Sequence, residues 1–261
     1  MNDFIKTTSL ESGILQISLN RPEQRNALSM ELLQSLSTVL IQAKQDPTVR
    51  AILLTGEGNA FCAGADIKQL APLDGVNGLA FARFGQAIFR QLELLGKPSL
   101  AVIQGFAFGG GCELAMSATL RIATKTSVFG QPEIKLGVIP GFGGTQRLSR
   151  LIGKGRALDL CLTGRRINAE EALQWGLVNE VTEPDQLLIR AKAILGELAK
   201  LGSVALESIL TTIHHGYDLS LEEALELEAV HFSLCCTTAD KKEGVSAFLE
   251  KRNAVFSGVS K

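Results

Sequence analysis

The chain has 261 residues, with 26 Lys plus Arg against 27 Asp plus Glu, a net charge of −1 and 46% hydrophobic residues. It can bury a sizeable core, and it lacks the basic excess that a nucleic-acid or anionic-membrane surface needs, which argues against both partners. The five cysteines, Cys62, Cys112, Cys161, Cys235 and Cys236, form no CxxC pair. Their odd number argues against a disulfide framework or a zinc site and for a reducing, cytoplasmic compartment, with each thiol expected to be a small buried hydrophobe.

The N-terminal stretch MNDFIKTTSL has no basic region followed by an apolar core and does not read as a signal peptide. Residues 13–19 alternate, with Leu15, Ile17 and Leu19 on one face, and predict a strand. The loop NRPEQRNALS follows, and Ser29 is placed to cap a helix over 30–44 whose Leu32, Leu33, Leu36, Val39 and Leu40 recur at helical spacing. The apolar run VRAILLTG (49–56) predicts a strand buried on both faces. The Gly-rich loop EGNAFCAGADIKQL then runs into a helical turn, and 78–95 predict a helix ended by Lys97-Pro98.

The stretch 99–120, SLAVIQGFAFGGGCELAMSATL, is long enough to span a bilayer, but Gln104, Glu113 and its glycines favour a strand, a turn and a helix over 112–119. A strand over 120–123 follows, then turns through FGQPEIKLGVIPGFGGTQRLSRLIG with a helix starting near Gly143. This βαβ rhythm predicts an α/β sheet with ligands beyond the strand C-termini. After Gly153 helical periodicity dominates, over 154–163, 169–175, 185–201, 203–215, 220–234 and 240–253.

The three consecutive glycines 109–111 do not fit the nucleotide patterns. In GGGCEL the third glycine of G-x-G-x-x-G is missing; GFGGTQ ends in Gln146 and GEGNAF in Phe61. Gly153-Lys154 has Leu148 where a phosphate loop needs glycine. Glycines between a strand and a helix can instead expose backbone N–H groups to a carbonyl oxygen on which negative charge grows, aided by the helix N-terminus. FCAGADI (61–67) offers a second loop of this kind. Glu113, in the first turn after the glycines, and Glu133, in FGQPEIKLG, are candidate acid–base groups if they meet in a tight apolar site. Spacing alone leaves other readings open: packing glycines, a helix-start charge at Glu113 and a solvated turn residue at Glu133. Asp66 reads as a helix-start acid and Lys68 as a solvated cation. His214, His215 and His231 lie on late helices without a nucleophile motif.

Six segments together carry a resemblance: NRPEQRNAL, AFCAGADIKQL, FAFGGGCELAM, FGQPEIKLGVIPGFGGTQRL, LTGRRINAEEALQWGLVNEV and DKKEGVSAFLEKR. In this order, from about residue 13 to 252, they resemble the enoyl-CoA hydratase/isomerase (crotonase) family. The resemblance implies an α/β fold, a spiral of ββα units over residues 1–195, with a C-terminal helical trimerisation region over 196–261. It implies a homo-oligomer, a hexamer built as a dimer of trimers.

It also implies an acyl-CoA substrate whose thioester carbonyl is held by the backbone N–H groups of Ala65 and Gly110. Ala65, Asp66, Ile67 and Lys68 match the CoA-contacting loop, and Phe248 and Lys251 match positions that help bind CoA, partly from a neighbouring subunit. Glu113 and Glu133 match both hydratase carboxylates, one activating water and the other protonating Cα, and the N–H of Gly141 matches a water-orienting amide. The implied reaction is addition of water to a trans-2-enoyl-CoA, as in fatty-acid β-oxidation, with no metal and no cofactor beyond the CoA of the substrate. The alternatives are an enoyl-CoA isomerase, a hydratase for a branched acyl group such as methylglutaconyl-CoA, and a non-catalytic RNA-binding relative, against which the near-neutral charge speaks. Residues 72–92 are expected to shape the acyl end of the pocket.

Overall fold

The structure is a computed structural model and describes residues 4–257; part of the N-terminal stretch read above lies outside the described residues. β1 (Ile5–Ser9) and β2 (Ile14–Leu19) form an antiparallel hairpin. α1 (Met30–Gln45) follows, and Ser29 Oγ accepts the Leu32 N–H at 3.3 Å as expected of a capping serine, a contact worth about 1 kcal/mol. β3 (Ala51–Gly56), the short α2 (Ile67–Leu70), α3 (Gly75–Glu93), β4 (Ser99–Ile103), β5 (Phe106–Phe108) and α4 (Gly110–Ser117) come next. Then come β6 (Leu120–Thr124), β7 (Val128–Gly130), α5 (Gly144–Ile152), α6 (Lys154–Thr163), β8 (Arg166–Asn168), α7 (Ala169–Gln174) and β9 (Glu180–Thr182). Four helices close the chain: α8 (Leu187–Ala199), α9 (Ser203–Gly216), α10 (Leu221–Cys236) and α11 (Ala239–Glu250).

The main sheet has the order β1-β2-β3-β4-β6-β9 and is parallel from β2 onward. A smaller sheet, β5-β7-β8, lies beyond the carboxyl ends of β4 and β6, so β4–β5–α4 is one ββα turn of the spiral and β6–β7 opens the next. The apolar run at β3 is explained by burial on both faces. Ile52 and Leu54 join the core under α1 and α3, while Ala51 and Leu53 pack with Leu187, Ala191 and Leu195 of α8. Complete burial of each Leu or Ile contributes roughly 1.5–3 kcal/mol.

The expected change to a helical chain at Gly153 is corrected by β8 and β9, which place residues 166–168 and 180–182 in the two sheets. Both are three-residue strands, too short for their periodicity to stand out between helices. β1, β5 and β7 are also strands that the sequence pattern does not mark; β1 has four of its five residues exposed, and β5 and β7 are three residues each. α8 is continuous across residues 195–196 and covers the outer face of the main sheet. Among the cysteines, Cys62 and Cys112 are buried and Cys161 and Cys235 half-buried, but Cys236 is exposed, contrary to the expectation for that residue. Among the described residues no helix is long and apolar enough to cross a membrane, and no group of three or more His, Cys, Asp and Glu could hold a metal ion.

Candidate active site

The first glycine-rich loop leaves β3 and the second leaves β5, which follows the neighbouring strand β4, and a bridge between Cys62 and Ala107 joins them. Cys62 donates to Phe106 O at 3.1 Å and Phe108 donates to Cys62 O at 3.0 Å. On its other side the first loop bridges to the residues before α1, through Leu28 N–H to Gly64 O at 2.8 Å and Asp66 N–H to Leu28 O at 3.0 Å. The last two bonds use Gly64 O and the Asp66 N–H, on either side of Ala65, and the Gly109 N–H, just before Gly110, donates to Gly130 O at 2.9 Å. Among the described residues, neither the Ala65 nor the Gly110 N–H is committed to a backbone carbonyl. A Cβ placed on Gly110 would lie 3.3 Å from the Ala65 nitrogen, so the two amides sit side by side, with the N-terminus of α4 behind them.

Two neighbours of Gly110 need glycine for separate reasons. Gly109 has φ +49°, and a Cβ there would lie 2.6 Å from Glu133 Oε1. Gly111 packs its backbone onto the Cys62 carbonyl, which closes the seam between the loops.

Glu113 lies one turn into α4 and is 1% exposed. Its Oε1 accepts the N–H groups of Phe142 at 2.8 Å and Gly144 at 2.6 Å, both from the turn before α5. Glu133, in a 3₁₀ turn over Pro132–Leu136, is half-buried. Burial raises the pKa of both carboxyls well above the ordinary 4.5, and the Glu133 charge adds to the rise at Glu113. The Phe142 and Gly144 amides oppose that rise by stabilising the Glu113 anion. Because the Glu133 charge raises Glu113, the ionisation of one carboxyl depends on the state of the other. The fully buried Gln131 places its amide 3.1 and 3.2 Å from the two Glu133 oxygens, where the nitrogen donates to both. Were Glu133 protonated, the amide oxygen would accept instead, so Gln131 can serve either state.

A cavity of about 520 Å³ collects Ala65, Ile67, Gly110, Glu113, Glu133 and Gly141 on its walls. Leu73, Phe81, Ala82 and Phe142 also line it, so part of residues 72–92 reaches the cavity wall. A second hollow of similar size, about 540 Å³, lies between the β1–β2 hairpin and the end of α1 and contains neither carboxylate pair nor free donor loop. Asp66 caps α2, accepting from Lys68 N–H at 3.1 Å, and pairs with Arg21 at 3.0 Å, while Lys68 is exposed. Gly141 reaches the cavity, but the amides that grip Glu113 are those of Phe142 and Gly144, one and three residues further on.

Phe248, 82% exposed, and Lys251, at the end of α11, are not brought to the cavity within one chain. Gln131, Phe142 and Gly144 were missed by the sequence reading; the glycines of IPGFGG were the available signal for an amide-presenting turn. The arrangement can polarise a carbonyl with two amides and move protons with two carboxyls on an apolar wall.

The chain belongs to the enoyl-CoA hydratase/isomerase family, whose profile matches residues 9–259. It is 43% identical over 243 residues to the short-chain-enoyl-CoA hydratase of Clostridium acetobutylicum, covering 93% of each chain. It is 42% identical to the crotonyl-CoA hydratase of Syntrophomonas wolfei, covering 94% of this chain and 95% of that one. The crystal structure of an enoyl-CoA hydratase from Bacillus anthracis superposes with a TM-score of 0.94 at 37% identity, covering 98% of this chain and 100% of that one. The spiral fold expected from the sequence is thus shared with solved family members.

Proposed function

We propose that the protein adds water across the double bond of a trans-2-enoyl-CoA to give a 3-hydroxyacyl-CoA, as in the oxidation of fatty acids. The observation that carries this reading is the paired buried carboxyls, Glu113 and Glu133, beside the two uncommitted amides of Ala65 and Gly110. The thioester oxygen lies between the Ala65 and Gly110 N–H groups. Ionised Glu113 takes a proton from a water molecule as its oxygen bonds to Cβ. The electron pair of the double bond moves toward the thioester, whose oxygen gains negative charge facing both donors. Each such donor is worth about 2.7–4 kcal/mol in the transition state.

As the enolate collapses, Glu133 delivers its proton to Cα. Glu113 ends protonated and Glu133 ionised, and exchange of one proton between the site and solvent restores the start. Gly141, on the cavity wall, supplies a further amide to orient the water. No step requires a metal or a redox cofactor; CoA enters as part of the substrate. The β2–α1 loop fixes the CoA-binding stretch Ala65–Lys68 through Leu28 and Arg21. Hydration of crotonyl-CoA in isotopically labelled water tests the assignment, with the label expected at Cβ of an intact thioester.

We infer a cytoplasmic homo-oligomer, a trimer paired into a hexamer. α10 buries none of its residues within one chain and exposes Leu221, Leu225, Val230, Phe232 and Leu234, an apolar face that a second copy would cover. The exposure of Phe248 within one chain supports assigning it, with Lys251, to contacts with a neighbouring copy's CoA. Five free thiols suit a reducing compartment. Light scattering is expected to give the mass of three or six chains; a monomer at micromolar concentration contradicts the assembly.

A further inference from the structure

The turn that feeds Glu113 is held from its far side by α3. The peptide joining Gly141 and Phe142 donates its N–H to Glu113 Oε1 at 2.8 Å, and its carbonyl accepts from Gln86 Nε2 at 2.8 Å. The carbonyl of the next peptide, Phe142 O, accepts from Arg147 Nη1 at 2.7 Å. Arg147 in turn makes a two-point contact with Glu93, Nε to Oε1 at 2.6 Å and Nη2 to Oε2 at 3.1 Å, with side chains only 15% and 11% exposed. Neither Arg147 nor Glu93 lines the cavity. One guanidinium therefore ties the end of α3 to the turn whose amides define the Glu113 site, and its planar fork is what lets it hold both partners at once.

We propose that Arg147 and Glu93, with Gln86, are positioning residues that fix the ionisation of Glu113 through the two peptides linking residues 141–143. The proposal rests on the reading of Glu113 as the base of hydration. Amides held in line favour the carboxylate, so a turn released on its α3 side leaves Glu113 harder to ionise. Among the other titratable groups, Glu133 shares the range of the readout and sets its alkaline limb. Facing Glu113 are Glu133, Cys112 on its own helix, Cys161 on α6 and Arg147. Burial pushes both thiols up, Cys161 to about 11, so they stay neutral across the neutral range. Facing Glu93 are Arg90, Arg147 and His214, whose pKa burial holds below the ordinary 6.5.

The test is the pH profile of kcat for crotonyl-CoA hydration between pH 6.5 and 10, run on Arg147→Lys, which keeps the charge but not the fork, and on Glu93→Gln. The acid limb is expected to move up by about one pH unit in both, with KM unchanged and the alkaline limb, set by loss of the Glu133 proton, left in place. A fall in kcat of equal size at every pH, an unmoved limb or a raised KM overturns the proposal. Gln86→Leu, on the exposed side of α3, provides a variant that folds without disturbing the ion pair; it is expected to shift the limb in the same direction by less, and an unmoved limb there counts against the proposal. Glu113→Gln run alongside separates the two claims: wild-type hydration in that variant removes Glu113 as base, whereas loss there with unmoved limbs in the others removes only the positioning role.

Discussion

Glu133→Gln and Glu113→Gln are each expected to lower crotonyl-CoA hydration by about 10²–10⁴-fold, the range of a positioned acid or base, while leaving CoA thioester binding in place. Gln keeps the shape of the side chain. At position 113 its amide oxygen can still accept the Phe142 and Gly144 N–H groups, and at position 133 it still faces Gln131. What is lost is the proton. The same substitutions are expected to stabilise the fold. Both carboxyls have pKa values raised on folding, so the folded chain binds more protons than the unfolded one above pH 4.5. Their contribution to stability is present below that pH and lost as pH rises through the folded values. Tm of either variant should therefore exceed wild type at pH 8 and converge with it near pH 4. Full hydration in either variant, or a Tm gain at pH 4 equal to that at pH 8, contradicts the assignment.

Gly109→Ala is expected to cost hydration more than about 10²-fold, because it strikes a donor and an acid together. The backbone there has φ +49° and ψ −124°, which an L side chain adopts only with strain of roughly 1–3 kcal/mol. The new methyl would meet Glu133 Oε1 at 2.6 Å, so either the carboxyl or the Gly110 amide must move. Gly75→Ala, in the first turn of α3 with open space around its Cβ position, is the matching control and should keep wild-type activity. The measurement is kcat for both variants with Tm as the check on folding. A folded Gly109→Ala with wild-type kcat means that neither the amide nor Glu133 needs its observed place.

Much of this site was visible in the residues because its parts obey local rules. Glycines between an apolar strand and a helix mark a backbone that must be bare, and Ser29 marks a helix start; the structure bears out both. Glu113 and Glu133 were different. Twenty residues of sequence separate them, and only the stacking of β4–β5–α4 against β6–β7 brings both to one cavity. Their joint role came from resemblance, since periodicity carries no information on which loops meet. Phe142 and Gly144 escaped for a related reason: they act through N–H groups, which every residue but proline has. Arg147 and Glu93 belong to no local motif; their fork depends on the packing of α5 against the end of α3, which no local pattern reports.

The short strands β8 and β9 escaped because three residues do not make a periodicity. Phe248, matched to a family position, is 82% exposed near the end of α11, and Lys251 caps that helix, so neither reaches the cavity within one chain.

The central claim is that the two carboxyls deliver water to Cβ and a proton to Cα while the thioester remains whole. The measurement that tests it most directly is mass spectrometry and NMR of the product formed from crotonyl-CoA in ¹⁸O-labelled heavy water. The expected product is 3-hydroxybutyryl-CoA with one ¹⁸O on Cβ and one deuterium on Cα. Crotonate carrying ¹⁸O in its carboxylate, or deuterium exchange along the acyl chain with no oxygen incorporated, would contradict it.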